Sequence, residues 1–90
     1  MKCKRRSYRK KWVLVHKKDG KSFFFEGILN FPYADSCFLH SGRNIEGAYT
    51  FYRKSDARKC ITYINTLYEN GAFERIWHID GKPNFQITAL

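Results

Sequence analysis

The fold is decided by a stretch near the start of the chain, residues 11–29, which reads KWVLVHKKDGKSFFFEGIL. Bulky aromatic and β-branched residues alternate along its first half, and this period of two is typical of a strand. Asp19-Gly20 is a tight-turn dipeptide, and the aromatic run behind it predicts a returning strand. The stretch therefore predicts a β-hairpin whose strands cover 11–17 and 22–29.

A helix is predicted in the second half of the chain. Ser55 suits the N-cap position, and Asp56 places a negative charge in the first turn, where the helix dipole favours it. Asn70-Gly71 predicts the end, because glycine tolerates the left-handed cap conformation. Between these limits apolar residues recur at spacings of three and four, which predicts one buried stripe: Ala57, Cys60, Ile61, Ile64, Leu67 and Tyr68.

The remaining patterns complete an α+β domain. Together with the hairpin and helix they predict the order β-β-β-β-α-β-(β) and a mainly antiparallel sheet of four to six strands, with the one amphipathic helix on one face. We predict a basic arm over residues 1–10 and a single domain over 11–90. The further strands are predicted at 37–40, 48–53, 74–79 and 85–88.

Size and composition exclude several classes of protein. Ninety residues leave room for one modest core, and a hydrophobic content of 43% argues against disorder. We expect neither a membrane span nor a secretory leader, because no long apolar run occurs. Three cysteines without a CxxC pattern argue against a disulfide framework and favour a reducing compartment, the cytoplasm, or the host cytoplasm if the protein is viral.

The positive charge is concentrated at the front of the chain. The protein carries 17 Lys+Arg and 8 Asp+Glu, for a net charge of +9. The first 21 residues hold ten of those bases and a single acid, so the rest of the chain is balanced. Such a block suits a phosphate backbone, where each contact releases a counterion. A solubilising tail, an anionic membrane surface and an acidic protein groove are the alternatives.

These observations predict a small nucleic-acid-binding protein, for DNA or RNA, with no cofactor. The alternative is a protein-interaction module or inhibitor, of the kind that phages encode, which blocks a larger protein or nucleoprotein complex. Phosphate contacts are expected from the arm, the hairpin tip and the strand–helix junction, and base stacking from aromatic side chains. The candidate residues are Lys2, Lys4, Arg5, Arg6, Tyr8, Arg9, Lys10, Lys11, Lys17, Lys18, Lys21, Arg53, Lys54, Arg58, Lys59 and Tyr63.

Aromatic residues make up 18% of the chain, more than one small core needs. A single helix covers one face of the sheet, so some aromatic surface should stay open unless a loop, an extra strand or a second copy in a dimer covers it. Such a surface can stack on unpaired bases or form a protein interface. Rings with a polar edge tolerate a wet surface and are therefore the contact candidates. They are Tyr8, Tyr33, Tyr52, Tyr63 and Trp77.

Metal and catalytic motifs are weak. Cys37-x-x-His40 is the one pair with ligand-like spacing, and one pair is too few for zinc, so we predict no metal site. His78 and Asp80 are two apart on a predicted strand, as a nuclease base or metal ligand could be. A second carboxylate at suitable spacing is missing, so enzymatic activity is not predicted.

Overall fold

The computed structural model describes residues 11–30 and 36–90. The arm predicted at 1–10 lies outside the described residues. Five strands and one α-helix follow in the order β-β-β-α-β-β, with a short 3₁₀ turn at Ile45–Gly47. They are β1 (Trp12–Lys18), β2 (Lys21–Asn30), β3 (Cys37–Gly42), α1 (Lys54–Glu69), β4 (Phe73–Ile76) and β5 (Phe85–Ala89).

The predicted hairpin is confirmed. β1 and β2 pair antiparallel up to Lys18 and Lys21, which leaves a two-residue turn. Asp19 and Gly20 both have positive φ, 53° and 78°, as a type I′ turn requires. The turn chemistry visible in the sequence thus fixes the register of these two strands.

The sheet is mixed rather than purely antiparallel. Its strand order is β4-β3-β2-β1-β5, and all neighbours are antiparallel except β3 and β4. Parallel neighbours need a long crossover, and α1 supplies it. The α+β class with one helix and the mainly antiparallel pairing of the strands are therefore confirmed, whereas the predicted element order is wrong and the parallel pair was not predicted.

The strand predicted at 48–53 does not form. β2 carries a bulge between Phe25 and Gly27, and its pairing with β1 ends one residue earlier, at Phe24. The segment after the 3₁₀ turn fills the gap instead. Phe51 exchanges two backbone hydrogen bonds with Trp12, both 2.8 Å, as an isolated bridge. Alternating side chains predicted a strand, but a single bridge satisfies this backbone.

The helix ends as predicted but begins differently. Gly71 has a φ of 70°, and the Ala72 N–H donates to the Leu67 carbonyl at 2.9 Å, which closes a Schellman cap. Arg53, not Ser55, is the N-cap residue, and its side chain makes no capping hydrogen bond. The predicted Ser55 cap is therefore wrong by two positions.

The core lies between α1 and one face of the sheet. Leu14, Leu39 and Ile64 are at most 1% exposed and belong to one cluster, so the predicted helix stripe is confirmed in its central members. On the opposite face of β1, Val13 and Val15 are also buried, so the centre of that face is not bare. In the described part of the chain no helix is long and apolar enough to cross a membrane.

Candidate nucleic-acid interface

The predicted basic residues that the structure describes all point to solvent. Across residues 11–30 and 36–90 one ion pair forms, between Lys82 Nζ and Glu69 Oε2 at 3.9 Å. The candidate cations take part in no ion pair within those ranges and are free for external anions. They are Lys11, Lys17, Lys18, Lys21, Arg53, Lys54, Arg58 and Lys59, all exposed.

Four of these cations gather where α1 begins, in what we call the helix-start cluster: Lys11, Arg53, Lys54 and Arg58. Lys54 Nζ lies 5.3 Å from the centre of the Trp12 ring, and Lys11 Nζ lies 5.5 Å from that of Tyr52. Arg58 follows Lys54 by one helical turn, so the two share a helix face. Arg53 is the N-cap residue at the same point.

Both rings of this cluster are connected to Phe51. Trp12 is held by the two backbone bonds to Phe51 and packs against the core cluster. Tyr52 follows Phe51 and is 56% exposed. A lysine over an aromatic face keeps its charge accessible while its position is restricted. The arm joins the cluster covalently, because residue 10 directly precedes Lys11.

The hairpin tip forms a second basic surface, at the other end of β1. The seven residues of β1 place it roughly 20 Å from the helix-start cluster. Lys18 and Lys21 face each other as the last cross-strand pair, whereas Lys17 pairs with Ser22 and points to the opposite face of the hairpin. The structure therefore separates the predicted tip residues into two faces.

The predicted contact edge on the helix is also divided. Arg58 and Tyr63 are five residues apart, which is about 140° around the helix axis. Lys59 and Tyr63 are one turn apart and do share a face. Arg58 thus belongs with the helix-start cluster, and Lys59 belongs with Tyr63.

Tyr63 borders an apolar hollow of about 230 Å³, which we call the aromatic cleft. Its exposed rims are Tyr49 and Tyr63, 53% and 52% exposed. Burial raises the pKa of the Cys60 thiol, which lies in the wall, to about 11. The neutral thiol therefore behaves as part of the apolar lining, which comprises Phe25, Gly27, Ile28, Tyr49, Phe51, Cys60 and Tyr63.

Among the other predicted contact rings, Tyr8 and Tyr33 lie outside the described residues. Trp77 is half-buried and is engaged within the chain. The Arg75 guanidinium lies 4.6 Å from its ring centre, and His40 stacks on it at 5.3 Å. Trp77 is therefore not presented to a ligand as Tyr52 and Tyr63 are.

The structure describes both residue pairs that were weighed as metal or catalytic sites, Cys37 with His40 and His78 with Asp80. Cys37 and His40 point to opposite faces of β3, since an odd number of positions separates them. Cys37 Sγ donates to the Ala72 carbonyl at 3.6 Å, and burial raises the pKa of this thiol. His78 and Asp80 lie beyond β4, which ends at Ile76, so their predicted strand placement is wrong. The described residues contain no group of three potential metal-ligating side chains.

The tip contains side chains that the sequence did not single out. Phe23 stacks on His78 with ring centres 5.9 Å apart and planes 10° apart, and the Arg43 guanidinium lies 5.7 Å from the Phe23 ring. A hollow of about 180 Å³ opens beside this stack; we call it the tip cleft. These groups come from segments that are far apart in the sequence. The Asp19-Gly20 turn was the one local pattern that pointed to this part of the molecule. The cleft is lined by Lys18, Asp19, Lys21, Phe23, His78 and Asp80.

Comparison with known proteins identifies no relative of this chain. No protein-family model matches the sequence. Neither the curated proteins nor the solved structures give a match. The site's own geometry and charge are therefore the grounds for a functional proposal.

Proposed function

We propose that this protein is a small nucleic-acid-binding protein that grips the phosphate backbone. The observation that carries the proposal is the helix-start cluster, whose four exposed cations form no ion pair within the described residues, with Lys54 over Trp12 and Lys11 over Tyr52. The acid of the first helical turn, Asp56, makes no ion pair with them. A polyanion would supply the missing counter-charges and release its own counterions.

The arm extends this cluster by direct chain continuation. It contributes Lys2, Lys4, Arg5, Arg6, Arg9 and Lys10 immediately before Lys11. Its charge is what the proposal needs, because phosphate contacts position a protein on the backbone without reading sequence. Tyr52 and Tyr63, both more than half exposed, are the described rings available to stack on unpaired bases.

The primary test is a salt titration of binding to labelled duplex DNA, single-stranded DNA and RNA. For duplex DNA we expect the slope of log K against log salt to lie between about −3 and −7, from a handful of neutralised phosphates. The double variant Arg53→Gln, Lys54→Gln should make the slope less negative by about 2. Lys82→Gln is the matched control, because Lys82 is paired with Glu69. A slope near zero, or no binding at 50–100 mM salt, would remove the proposal.

The arm is tested by deleting residues 2–11. Binding should weaken by severalfold to several orders of magnitude, because the deletion removes seven cations. Circular dichroism should report an unchanged fold. A truncated protein that binds as well as the full chain shows that the arm is not the contact.

The aromatic cleft favours a second candidate, a protein-interaction module or inhibitor. Its apolar lining and tyrosine rims resemble the anchor sites of protein interfaces, and a phosphate has no partner there. In this case the double variant Tyr49→Ala, Tyr63→Ala loses one stoichiometric protein partner that otherwise survives nuclease treatment. Co-purifying nucleic acid that salt removes, seen as a high 260/280 nm absorbance ratio, favours the first candidate instead.

A further inference from the structure

Two locally unfavourable features meet at the tip cleft. Lys18 and Lys21 form the last cross-strand pair of the hairpin, and like charges directly opposite each other destabilise a strand pair. Asp19, in the turn between them, makes no ion pair with either lysine. Among the described residues the two lysines therefore face each other without forming an ion pair, although Asp19 and Asp80 line the same cleft.

The second feature is the backbone of His78. Its φ of 65° lies in the left-handed region, which a residue other than glycine rarely adopts. The ring is held flat against Phe23, and Arg43 lies over the same Phe23 ring.

We propose that the tip cleft binds a phosphate group. Lys18 and Lys21 provide two positive charges, His78 provides a ring nitrogen, and Arg43 adds positive charge beside Phe23. Asp19 and Asp80 also line the cleft and oppose an anion, so they lower the affinity of the site. The resulting site is weak alone and works as a second contact point.

This proposal deepens the proposed function and, for the source of the phosphate, rests on it. The tip cleft and the helix-start cluster are roughly 20 Å apart, which corresponds to about six base pairs at 3.4 Å each. A duplex shorter than this cannot reach both. Affinity should therefore rise sharply between four and eight base pairs and only gradually beyond, as the two contacts become one intramolecular event.

The test uses the full-length chain labelled with ¹⁵N. Titration with inorganic phosphate should shift the backbone amide signals of Lys18, Lys21 and His78, with sodium chloride of equal ionic strength as the reference. The double variant Lys18→Gln, Lys21→Gln should lose these shifts, weaken binding of a 12-base-pair duplex at least tenfold and flatten the length dependence. Lys82→Gln is the matched control, because Lys82 carries the same charge and is paired with Glu69. Duplexes with 5′-phosphate and 5′-hydroxyl ends distinguish a terminal from a backbone phosphate.

The melting temperature of the Lys18→Gln, Lys21→Gln variant provides an independent test. Removing an uncompensated like-charge pair should raise the melting temperature of the double variant by about 2 °C while binding falls. Phosphate shifts at the tip without any nucleic-acid binding would support the cleft and overturn the proposed function. Unchanged tip signals, together with equal duplex binding by the Lys82 and the Lys18/Lys21 variants, would overturn the cleft alone.

Discussion

The two ends of β1 present cations in different ways. At its beginning, Lys54 lies over Trp12, a ring that packs against the core. At its end, Lys18 and Lys21 extend from a two-residue turn beside the exposed His78. Positive charge thus lies against a core-packed ring at one end of β1 and beside a two-residue hairpin turn at the other. Substitutions at the helix start should therefore change both the free energy of unfolding and the proposed nucleic-acid binding. Substitutions at the tip should change these two properties independently.

The largest expected effect compares the ring at each end. Trp12→Ala removes a core-contacting ring that also restricts Lys54, and we expect the free energy of unfolding to fall by about 3 kcal/mol. Phe23→Ala, at the tip, should lower it by about 1–2 kcal/mol, because this ring is half-buried. Urea denaturation measures both. Equal losses of unfolding free energy would show that Trp12 and Phe23 contribute equally to stability.

The burial of the Cys60 thiol in the wall of the aromatic cleft can be tested by measuring how fast it is alkylated. At pH 8 a thiol whose pKa is about 11 holds about 100-fold less thiolate than one at the ordinary value of 9.0. In a Cys3→Ser, Cys37→Ala background, iodoacetamide should therefore modify Cys60 about 100-fold more slowly in the folded than in the urea-unfolded protein, as followed by mass spectrometry.

The same shift makes stability depend on alkaline pH. Because the pKa of Cys60 is raised in the folded state, its contribution is complete below pH 9 and is lost as the pH rises towards 11. Cys60→Ala should remove this part of the alkaline loss. Rapid alkylation at pH 8 in the folded protein would mean that the aromatic cleft is open to reagents at this position.

A smaller effect is expected in the hairpin turn. Gly20→Ala places a Cβ on a residue with a φ of 78°, so the free energy of unfolding should fall by about 1 kcal/mol. Asp19→Asn is the control, because asparagine tolerates positive φ. Binding of the 12-base-pair duplex by Gly20→Ala is measured at temperatures where the protein stays folded. Weaker binding there would show that the contact made by the tip depends on the geometry of the turn. Unchanged unfolding energy would contradict the tight turn.

The smallest effects concern the helix start, where stability and binding should move in opposite directions. Arg53→Ser supplies the capping oxygen that Arg53 lacks and should stabilise the protein by up to about 1 kcal/mol. The same change removes one cation from the helix-start cluster and should weaken nucleic-acid binding a few-fold. Ser55→Ala should leave stability nearly unchanged, and a loss near 1 kcal/mol there would restore Ser55 as the cap.

Local patterns in the sequence predicted those parts of the fold that local chemistry determines. Asp19-Gly20 fixed the hairpin, and Gly71 fixed the helix end, because each needs a conformation that few residues adopt. The pairing of β3 with β4 depends on where α1 returns the chain, which side-chain periodicity does not encode. The segment ending at Phe51 alternates like a strand, yet the bulge in β2 leaves it only one bridge.

The candidate site was predictable to the same extent. Exposed lysines and arginines are visible as a surplus of charge, and the structure finds the described ones exposed. Their division into two surfaces follows from strand alternation and helix rotation, which separate Lys17 from Lys18 and Arg58 from Tyr63. The stack of Phe23 on His78 joins residues 55 positions apart, and no spacing rule links them.

The parallel pairing of β3 and β4 also has a kinetic consequence. β1, β2 and β3 meet through antiparallel neighbours, whereas β4 reaches β3 only after the chain has passed through α1. Closing that longer loop costs more entropy, so we expect the three-strand meander to form in the folding transition state and β4 to dock after it. Ile76→Val should then accelerate unfolding and leave the refolding rate almost unaltered in stopped-flow experiments, whereas a slower refolding rate would place β4 in the nucleus.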